Sequence, residues 1–434
     1  MDYCLAIDIG ASSARHILGH KSRGEWVLEE VHRFKTPLVM EEGGHCHWDV
    51  RLLFEEILIG MGKCTHLGKI PSRVGIDCFG VDYALLDEED ALIGEVISYR
   101  DPRTVAAKRE FLSPERFFDI SGVYPHNFDT AYQLYADKQA GKLAGAKTLM
   151  MLPSYLCFLL TGVKQNELSA LSTSGLLDAR SGELSATMLA ALGIEASLFP
   201  ETVSAGTKIG GLLPFIVQRV GYDASVYACL EHDTASAFLG SGAKPGELLL
   251  SSGTWSLLGS FLDKPILSPE AFDKGFTNEL SYPGQVRFLR NIMGMWIINR
   301  LKEELAIPSF ASLTGLAKDG SNYPGVFDAT DDRLNNPASM KQCVLGLIAE
   351  KGCMPPRSDG ELLYAVYRSL AKAYAVAVKS LEDLTGKRYS SLVVFGGGVK
   401  AEILNELTEK ELAIPLRRGP AEATAIGNLL CIGK

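Results

Sequence analysis

The sequence predicts an α/β protein of two similar-sized lobes that close on one phosphate-bearing ligand. Three observations predict it. The chain opens with an apolar run, Cys4 to Ile9, that enters a turn of small residues, Gly10-Ala11-Ser12-Ser13, and returns through His16-Ile17-Leu18-Gly19. This is a strand–turn–strand pattern. The plan recurs more than halfway along: Leu248-Leu249-Leu250-Ser251-Ser252 enters Gly253-Thr254 and returns through Trp255-Ser256-Leu257-Leu258-Gly259. With 434 residues, the chain has room for two large cores. A duplicated unit opening two halves suggests paired lobes, each offering a turn to a shared ligand.

The first turn suits phosphate. Small residues let backbone N–H groups approach an anion, and the hydroxyls of Ser12 and Ser13 add donors. Asp8 at the strand end can hold a divalent cation directly or through water, and Arg15 brings a fixed positive charge. The string G-x-x-x-x-G-K-[ST] is absent, so this is not a Walker loop.

Composition narrows the class. Apolar residues make up 47% and charged residues 22%, as in a globular protein, and the net charge of −9 argues against a nucleic-acid or acidic-membrane surface. Nine scattered cysteines without a C-x-x-C pair fit a reducing cytoplasm. No basic and apolar leader is read at the N-terminus. The most apolar stretch, residues 148–163, contains Pro153 and is shorter than the roughly 20 residues that span a bilayer.

Along the first half, His45-Cys46-His47 lacks the second ligand pair of a zinc site. Asp49 reads as the N-cap of a helix with Val50, Leu53, Phe54, Ile57, Leu58 and Met61 on one face. Residues 74–83 read as strand, glycine turn and strand. Asp77 and Asp82 flank Gly80, either as solvated turn carboxylates or as acceptors for ligand hydroxyls. Residues 87–90 form an acidic hairpin tip, and the charged run Tyr99 to Arg103 has no assigned role. Helices are expected at 129–140, 153–161 and 182–193, with a hydroxyl-rich loop at 169–174. Val226 to Leu230 reads as a strand delivering Glu231-His232-Asp233-Thr234 to a helix start. There Asp233 either caps the helix or takes a proton from an attacking hydroxyl, with Thr234 and the helix N–H groups keeping it ionised.

Residues 241–247 mark the boundary between a lobe at 1–243 and a lobe at 244–434. In the second half, Asn291 falls at an expected helix start, as a cap or a ligand contact. Residues 320–337 read as a loop and 362–384 as a long helix ending near Gly386. Leu392 to Phe395 is a strand entering Gly396-Gly397-Gly398 and then a helix to about Leu412, an element suited to a nucleotide. A last helix of small residues begins at Glu422.

Several strings, in order, carry a resemblance. They include Ala6 to Ser13, His47-Trp48-Asp49-Val50, Gly75-Ile76-Asp77, Gly80-Val81-Asp82-Tyr83, Ser98 to Thr104, Tyr132-Gln133-Leu134-Tyr135, His232 to Ser236, Leu250 to Leu257, Thr277-Asn278-Glu279, Asn291-Ile292-Met293-Gly294 and Gly396-Gly397-Gly398. Together the chain resembles the FGGY carbohydrate kinases, in the superfamily of sugar kinases, actin and heat-shock ATPases. The resemblance implies two ribonuclease H-like lobes, each a mixed β-sheet flanked by helices, with the active site in the cleft between them. It implies transfer of the γ-phosphate of ATP to the 1-hydroxyl of a ketose, L-rhamnulose, with L-fuculose or L-xylulose as alternatives. A non-catalytic relative that senses sugar and nucleotide is the reading from another class.

By the same resemblance, Asp233 is the general base, and Gly80, His232, Asp233, Thr234 and Asn291 contact the ketose. Ala11, Ser12, Ser13, Ala14, Arg15 and Thr254 hold the ATP phosphates. Asn299 stands where the family usually has a glutamine near the nucleotide, and Gly396 or Gly397 faces the adenosine. Mg²⁺ bridges the phosphates with Asp8 nearby. The expected partners are the ketose and ATP, in a cytoplasmic monomer or homodimer. The chain departs from the family pattern at Ala14 (usually glycine), Phe79 (usually tryptophan) and Glu231 (usually small), the last two expected near the sugar. Lobe closure on the sugar is also expected, because a γ-phosphate held near water would otherwise hydrolyse.

Overall fold

A computed structural model of the chain describes residues 1–335 and 337–433. Its first half is built on strands β1 (Tyr3–Ile9), β2 (Ser13–Ser22), β3 (Glu25–Lys35), β4 (Pro71–Cys78), β5 (Lys208–Gly211) and β6 (Ser225–Tyr227), with helices α1 (Val50–His66) and α2 (Asp233–Gly240). The second half uses β7 (Glu247–Ser252), β8 (Trp255–Leu262), β9 (Phe276–Tyr282), β10 (Gln285–Met293), helices α3 (Trp296–Glu304) and α4 (Asp359–Thr385), β11 (Ser391–Phe395), α5 (Glu402–Leu412), β12 (Leu416–Arg418) and α6 (Ala423–Ile432).

The two sheets have the same plan. The first runs β5-β6-β4-β1-β2-β3 and the second β9-β10-β8-β7-β11-β12. In each, an antiparallel hairpin (β1–β2, β7–β8) is extended on its first strand by parallel neighbours (β4 then β6, β11 then β12). The repeat seen in the sequence is therefore a repeat of topology, and the two glycine turns occupy equivalent sheet positions. The first joins Ile9–Ala14 across Gly10 to Ser13, while the second joins Ser252–Ser256 and is one residue shorter.

The buried runs explain the strands. Cys4 to Ile9 is buried throughout, as expected for a strand covered on both faces. Helix α1 starts where Leu52 N donates to the Asp49 carboxylate at 2.9 Å, and it buries Val50, Leu53, Ile57, Leu58 and Met61. Helix α4 starts at a Ser358 cap and ends at Gly386 in the left-handed conformation. Its hydroxyl Tyr374 bonds Ser256 at 2.6 Å, anchoring the strand that leaves the second turn.

The end helices are exchanged between the halves. Helix α6, last in the chain, packs Ala425, Leu429 and Ile432 with Cys4, Ala6 and Ile17 of the first sheet. Helix α2 sends Ala237 and Phe238 to Leu249, Val393 and Phe395 of the second. Residues 83–199 carry a third apolar core, which holds Phe117, Tyr132, Leu149 and Leu171 beside the first lobe.

Several local expectations are corrected. Residues 169–174 are not a loop: Leu168–Leu171 is helical and Ser172–Ser174 a buried 3₁₀ turn, whose hydroxyls bond carbonyls three residues back. Asn291 lies inside β10, not at a helix start, because the run pairs on both sides as a central strand. The helix expected at 182–193 spans only Ala186–Leu192. A 3₁₀ turn, Gly397–Lys400, separates the glycines from α5. Asp77 and Asp82 are buried, not solvated. Asn336, in the expected 320–337 loop, lies outside the described residues.

Candidate active site

The carboxyl ends of β1, β4 and β6 meet one another. Phe79 N donates to Ile9 O at 3.1 Å, Cys78 N donates to Glu231 O at 2.9 Å, and Cys78 bridges His232 in parallel. This edge collects Asp8, Asp77 and Asp233 from three neighbouring segments. Asp8 and Asp77 are register partners.

Both turns have their carbonyls bonded away from the cleft. In the first, Thr36 binds Gly10 O through its hydroxyl at 2.6 Å and Ser12 O through its N–H at 3.3 Å. In the second, Met295 N donates to Gly253 O at 2.9 Å, while Gly294 N and Trp296 N reach Thr254 O at 3.2 Å. Each turn thus presents N–H groups and hydroxyls, the donor set that phosphate needs. Ser12, Ser13 and Thr254 are exposed. Gly294 is required there: a Cβ would fall 2.7 Å from Gly253 O. Gly398 is required likewise, since its Cβ would strike Ser252, which seats the third glycine turn directly against the second phosphate turn. Gly397 faces open space, and Asn299 lies on the first turn of α3 behind Thr254.

Arg15 is gripped from two sides. Its Nε and Nη2 bond Asp8 Oδ2 at 3.0 and 2.8 Å, and its Nη1 meets Glu422 at the N-terminus of α6 at 2.6 Å. The guanidinium joins the phosphate turn to the exchanged helix. Ala14 is corrected in part: its side chain sits in the apolar core of β2, so only its backbone can serve a ligand.

Asp233 is the first residue of α2, and His232 is the N-cap. The capping alternative is thereby set aside. Its side chain is 28% exposed and accepts from Thr234 Oγ1 at 3.1 Å. Thr234 favours the ionised form through its hydroxyl and its backbone N–H, as expected, but burial outweighs it. Desolvation at the cleft floor raises its pKa above the ordinary aspartate value, with Asp8 adding to the rise, and His232 and Thr234 oppose it. Asp77 is fully buried, takes 2.6 Å donation from Asn428 of α6, and leaves Oδ1 without a protein partner. Burial and the neighbouring Asp8 hold its pKa well above the usual range.

On the other side of Asp233 the second lobe reaches in. His232 Nε2 is 3.5 Å from Asp233 Oδ1, and its Nδ1 is 3.2 Å from Arg287 Nη2. Arg287 pairs with Glu279 at 2.9 Å. Asn291 Nδ2 approaches His126 Nε2 at 3.4 Å and its Oδ1 has no protein partner. A run of rings continues from there: His126 stacks on Phe128 at 4.8 Å, Phe128 meets Tyr99 at 6.0 Å, and Tyr99 and Trp48 enclose Phe79 at 5.8 and 4.7 Å. An apolar ring wall opposite donors and carboxylates suits a sugar with a hydrocarbon end.

Gly80 has a packing reason as well: a Cβ would fall 2.9 Å from Thr173 Oγ1, which accepts from Val81 N at 3.1 Å. Val81 itself holds φ 72°, costly for a β-branched residue, and its carbonyl takes donations from Thr130 and Gln133. Asp82 anchors the ring wall by accepting from Trp48 Nε1 at 2.6 Å and Tyr99 N at 3.0 Å. Glu231, expected near the sugar, points the other way. It is fully buried and bonds Ser154 Oγ at 2.5 Å, so that departure does not line the pocket.

The residues missed in the sequence are His126 and Arg287, while Glu279 entered only within a matching string and Asp77 as one of two open readings. Glu279 and Arg287 alternate regularly along paired strands, and nothing in that spacing separates a cleft residue from a core one. Among the described residues no three His, Cys, Asp or Glu side chains form a ready metal cage. Asp8 and Asp77, register partners with Asp77 Oδ1 unpartnered, suit Mg²⁺, which keeps its waters and takes one or two carboxylates together with substrate phosphates.

Models of the FGGY family of carbohydrate kinases match almost the whole chain, the N-terminal domain over residues 3–240 and the C-terminal domain over 248–433. A rhamnulokinase of Halalkalibacterium halodurans is 38% identical over 99% of this chain and 93% of its own length. One of Bacillus subtilis is 36% identical over 98% and 88%. Among solved structures, a gluconate kinase from Lactobacillus acidophilus superposes with a TM-score of 0.84 at 16% identity, over 99% of this chain and 88% of its own. A Plasmodium falciparum glycerol kinase with ADP gives 0.80 at 16% identity, over 100% and 89%. These structural likenesses concern the fold.

Proposed function

The chain belongs to the FGGY family of carbohydrate kinases, and from that premise we propose that it transfers the γ-phosphoryl group of ATP to the 1-hydroxyl of L-rhamnulose. The rhamnulokinase relatives, similar over nearly the full chain, support the choice of sugar. The observation that carries the chemistry is Asp233, a part-exposed carboxylate of raised pKa at the cleft floor, between the phosphate turns and the ring wall.

Asp233 accepts the proton of O1–H as O1 bonds to the γ-phosphorus and the bond to the β-phosphate oxygen breaks, releasing ADP. A raised pKa makes it a stronger base than an ordinary aspartate. The donors of Ala11, Ser12, Ser13, Arg15 and Thr254 would take the phosphates, with the Gly396-Gly397 turn and Asn299 toward the adenosine. Ala14 would contribute backbone only. Mg²⁺ would be held by the phosphates and Asp8, and when bound it neutralises charge developing on them. Gly80, His232, Thr234 and Asn291 would hold the ketose. The lobes are divided at residues 243 and 244 in this reading, supported by the flanking family matches. Nine free cysteines support a reducing compartment, and the assembly is a monomer or homodimer.

The experiment is ATP turnover against a panel of ketoses, with Asp233→Ala as control. Preferential turnover of L-rhamnulose, lost in the variant, is expected. Stronger turnover of L-fuculose or L-xylulose would reassign the sugar, and nucleotide binding without any turnover would overturn the kinase reading.

A further inference from the structure

Arg287 is fully buried at the centre of β10, directly opposite Glu279 of β9 in register. It lies in the second lobe, yet one of its nitrogens is aimed at a residue of the first, His232. A buried ion pair of this kind adds little to stability, because the desolvation of both charges offsets their attraction. Its Nε and Nη1 have no protein acceptor at all. The arrangement is therefore costly for packing, and its hydrogen bonds are those of Nη2, to the imidazole at 3.2 Å and to Leu280 O at 3.4 Å.

Guanidinium nitrogens only donate. With Arg287 Nη2 at 3.2 Å and its hydrogen directed at Nδ1 of His232, that ring nitrogen must accept. Glu279 Oε2 stands 3.4 Å from the same nitrogen and 2.9 Å from Arg287 Nη2 but is in hydrogen-bond geometry with neither, so the hydrogen bond formed at Nδ1 is the one from Arg287. A proton on Nδ1 would face the N–H of Arg287. The proton of the neutral ring then belongs on Nε2, at the cleft side. Asp233 Oδ1 is 3.5 Å from Nε2, too far for a good hydrogen bond, which leaves that N–H available to a ligand. The backbone holds the ring in place: His232 N donates to Ser169 Oγ at 3.2 Å.

We propose that Arg287 is a positioning residue that fixes His232 in its Nε2–H tautomer, so that the imidazole donates to a ketose oxygen beside the one whose proton Asp233 takes. This deepens the ketose-kinase reading and rests on it for the identity of the ligand. Donor and acceptor side by side read two adjacent sugar oxygens of opposite role, and a bare carboxylate would not distinguish them. The second lobe supplies the residue that sets this polarity, so the sugar site is complete only with both lobes in place.

The test is ¹⁵N NMR of the full chain with labelled histidine, His232 being identified by the signal lost in His232→Gln. Protonated Nε2 and bare Nδ1 are expected. Glu279→Gln is expected to keep that tautomer, because Arg287 sets it. The double variant Arg287→Met, Glu279→Leu replaces the pair by apolar groups and so preserves the fold. In it the single tautomer is expected to be lost and kcat/KM for the ketose to fall roughly 10–100-fold, while affinity for an ATP analogue stays within about twofold. Arg287→Lys, which keeps a donor, is expected to restore the tautomer and most of the activity. A proton on Nδ1 in the parent chain, a tautomer that flips in Glu279→Gln, or a double variant with unchanged tautomer would each overturn the proposal. The NMR readout needs no turnover. A chain that phosphorylates no ketose would sink the kinase reading and leave the tautomer result to be judged separately.

Discussion

Gly427 of α6 lies so close to the carbonyl of Ser236 on α2 that no β-carbon fits between them. Gly240 meets Ala423 in the same way one turn along. This crossing joins the two exchanged helices: α6 belongs to the second half and packs on the first sheet, while Phe238 of α2 meets Phe395 of the second sheet edge-on at 5.6 Å. The crossing is where the helices of the two halves pack backbone to backbone.

Gly427→Ala is therefore expected to cost about 1–3 kcal/mol through overpacking against backbone that has no room to yield. Thermal unfolding measures the loss. X-ray scattering with sugar and a nucleotide analogue is expected to show compaction of the parent chain, and less of it in this variant, because the extra carbon splays the helices.

Asp233→Asn is expected to lower kcat by about 10²–10⁴-fold with nucleotide binding retained, since the amide keeps the shape and loses the base. Because desolvation raises the Asp233 pKa, the acid limb of kcat/KM is expected above the ordinary aspartate value of 3.8. Steady-state rates across pH measure it, and an unchanged kcat in the variant would reject Asp233 as the base.

Asp8→Asn is expected to raise the Mg²⁺ concentration needed for half-maximal rate by about tenfold. It also frees Arg15 from its partner at 2.8 Å, so the KM for ATP is expected to change along with it. Titration of the rate with Mg²⁺ at fixed ATP separates the two effects.

Glu167 and Glu231 lie buried behind His232 and Asp233. Glu231 N donates to Glu167 Oε2 at 3.1 Å, and among the described residues neither carboxylate has a cation in hydrogen-bond contact. Burial pushes Glu167 up to about 7 from 4.5, and burial with the Glu167 charge raises Glu231 well above 4.5. Between those pH values the native state binds protons that the unfolded chain has released. Stability therefore falls as pH rises above about 4.5, through about 7 for Glu167 and onward until Glu231 has also released its proton. Glu231→Gln keeps the bond from Ser154 and removes one charge. Its melting temperature at pH 8 is expected to exceed the parent's by at least about 2 °C, with the difference vanishing near pH 5. Calorimetry at the two pH values checks both parts.

Much of the fold was legible because its signals are local. Cys4 to Ile9 is apolar enough to be nothing but a buried strand, Asp49 caps α1 as its spacing predicts, and Gly386 ends α4 where the periodicity stops. The paired turns were legible because small residues and hydroxyls between apolar runs serve few other purposes. Asn291 was misread because a central strand buried on both faces has no period to distinguish it from a helix start. Residues 169–174 were misread because serines that bond their own helix look like a loop in sequence. The solvated alternative for Asp77 and Asp82 arises because a carboxylate beside glycine resembles a turn. Only Asn428, 351 residues from Asp77, and Trp48, 34 residues from Asp82, show that both are buried acceptors.

The sequence by itself determined the α/β class, the two repeated hairpins, the order of the motifs and the presence of an aspartate at the head of α2, because propensity, periodicity and turn chemistry act over a few residues. The tertiary structure alone decided that α2 and α6 change partners, that Arg15 ties Asp8 to Glu422, that Glu231 faces inward and that Arg287 reaches His232 across the lobes. Those facts depend on which strand ends meet and which water they exclude, and desolvation and charge pairing at such meeting points are set by residues hundreds of positions apart.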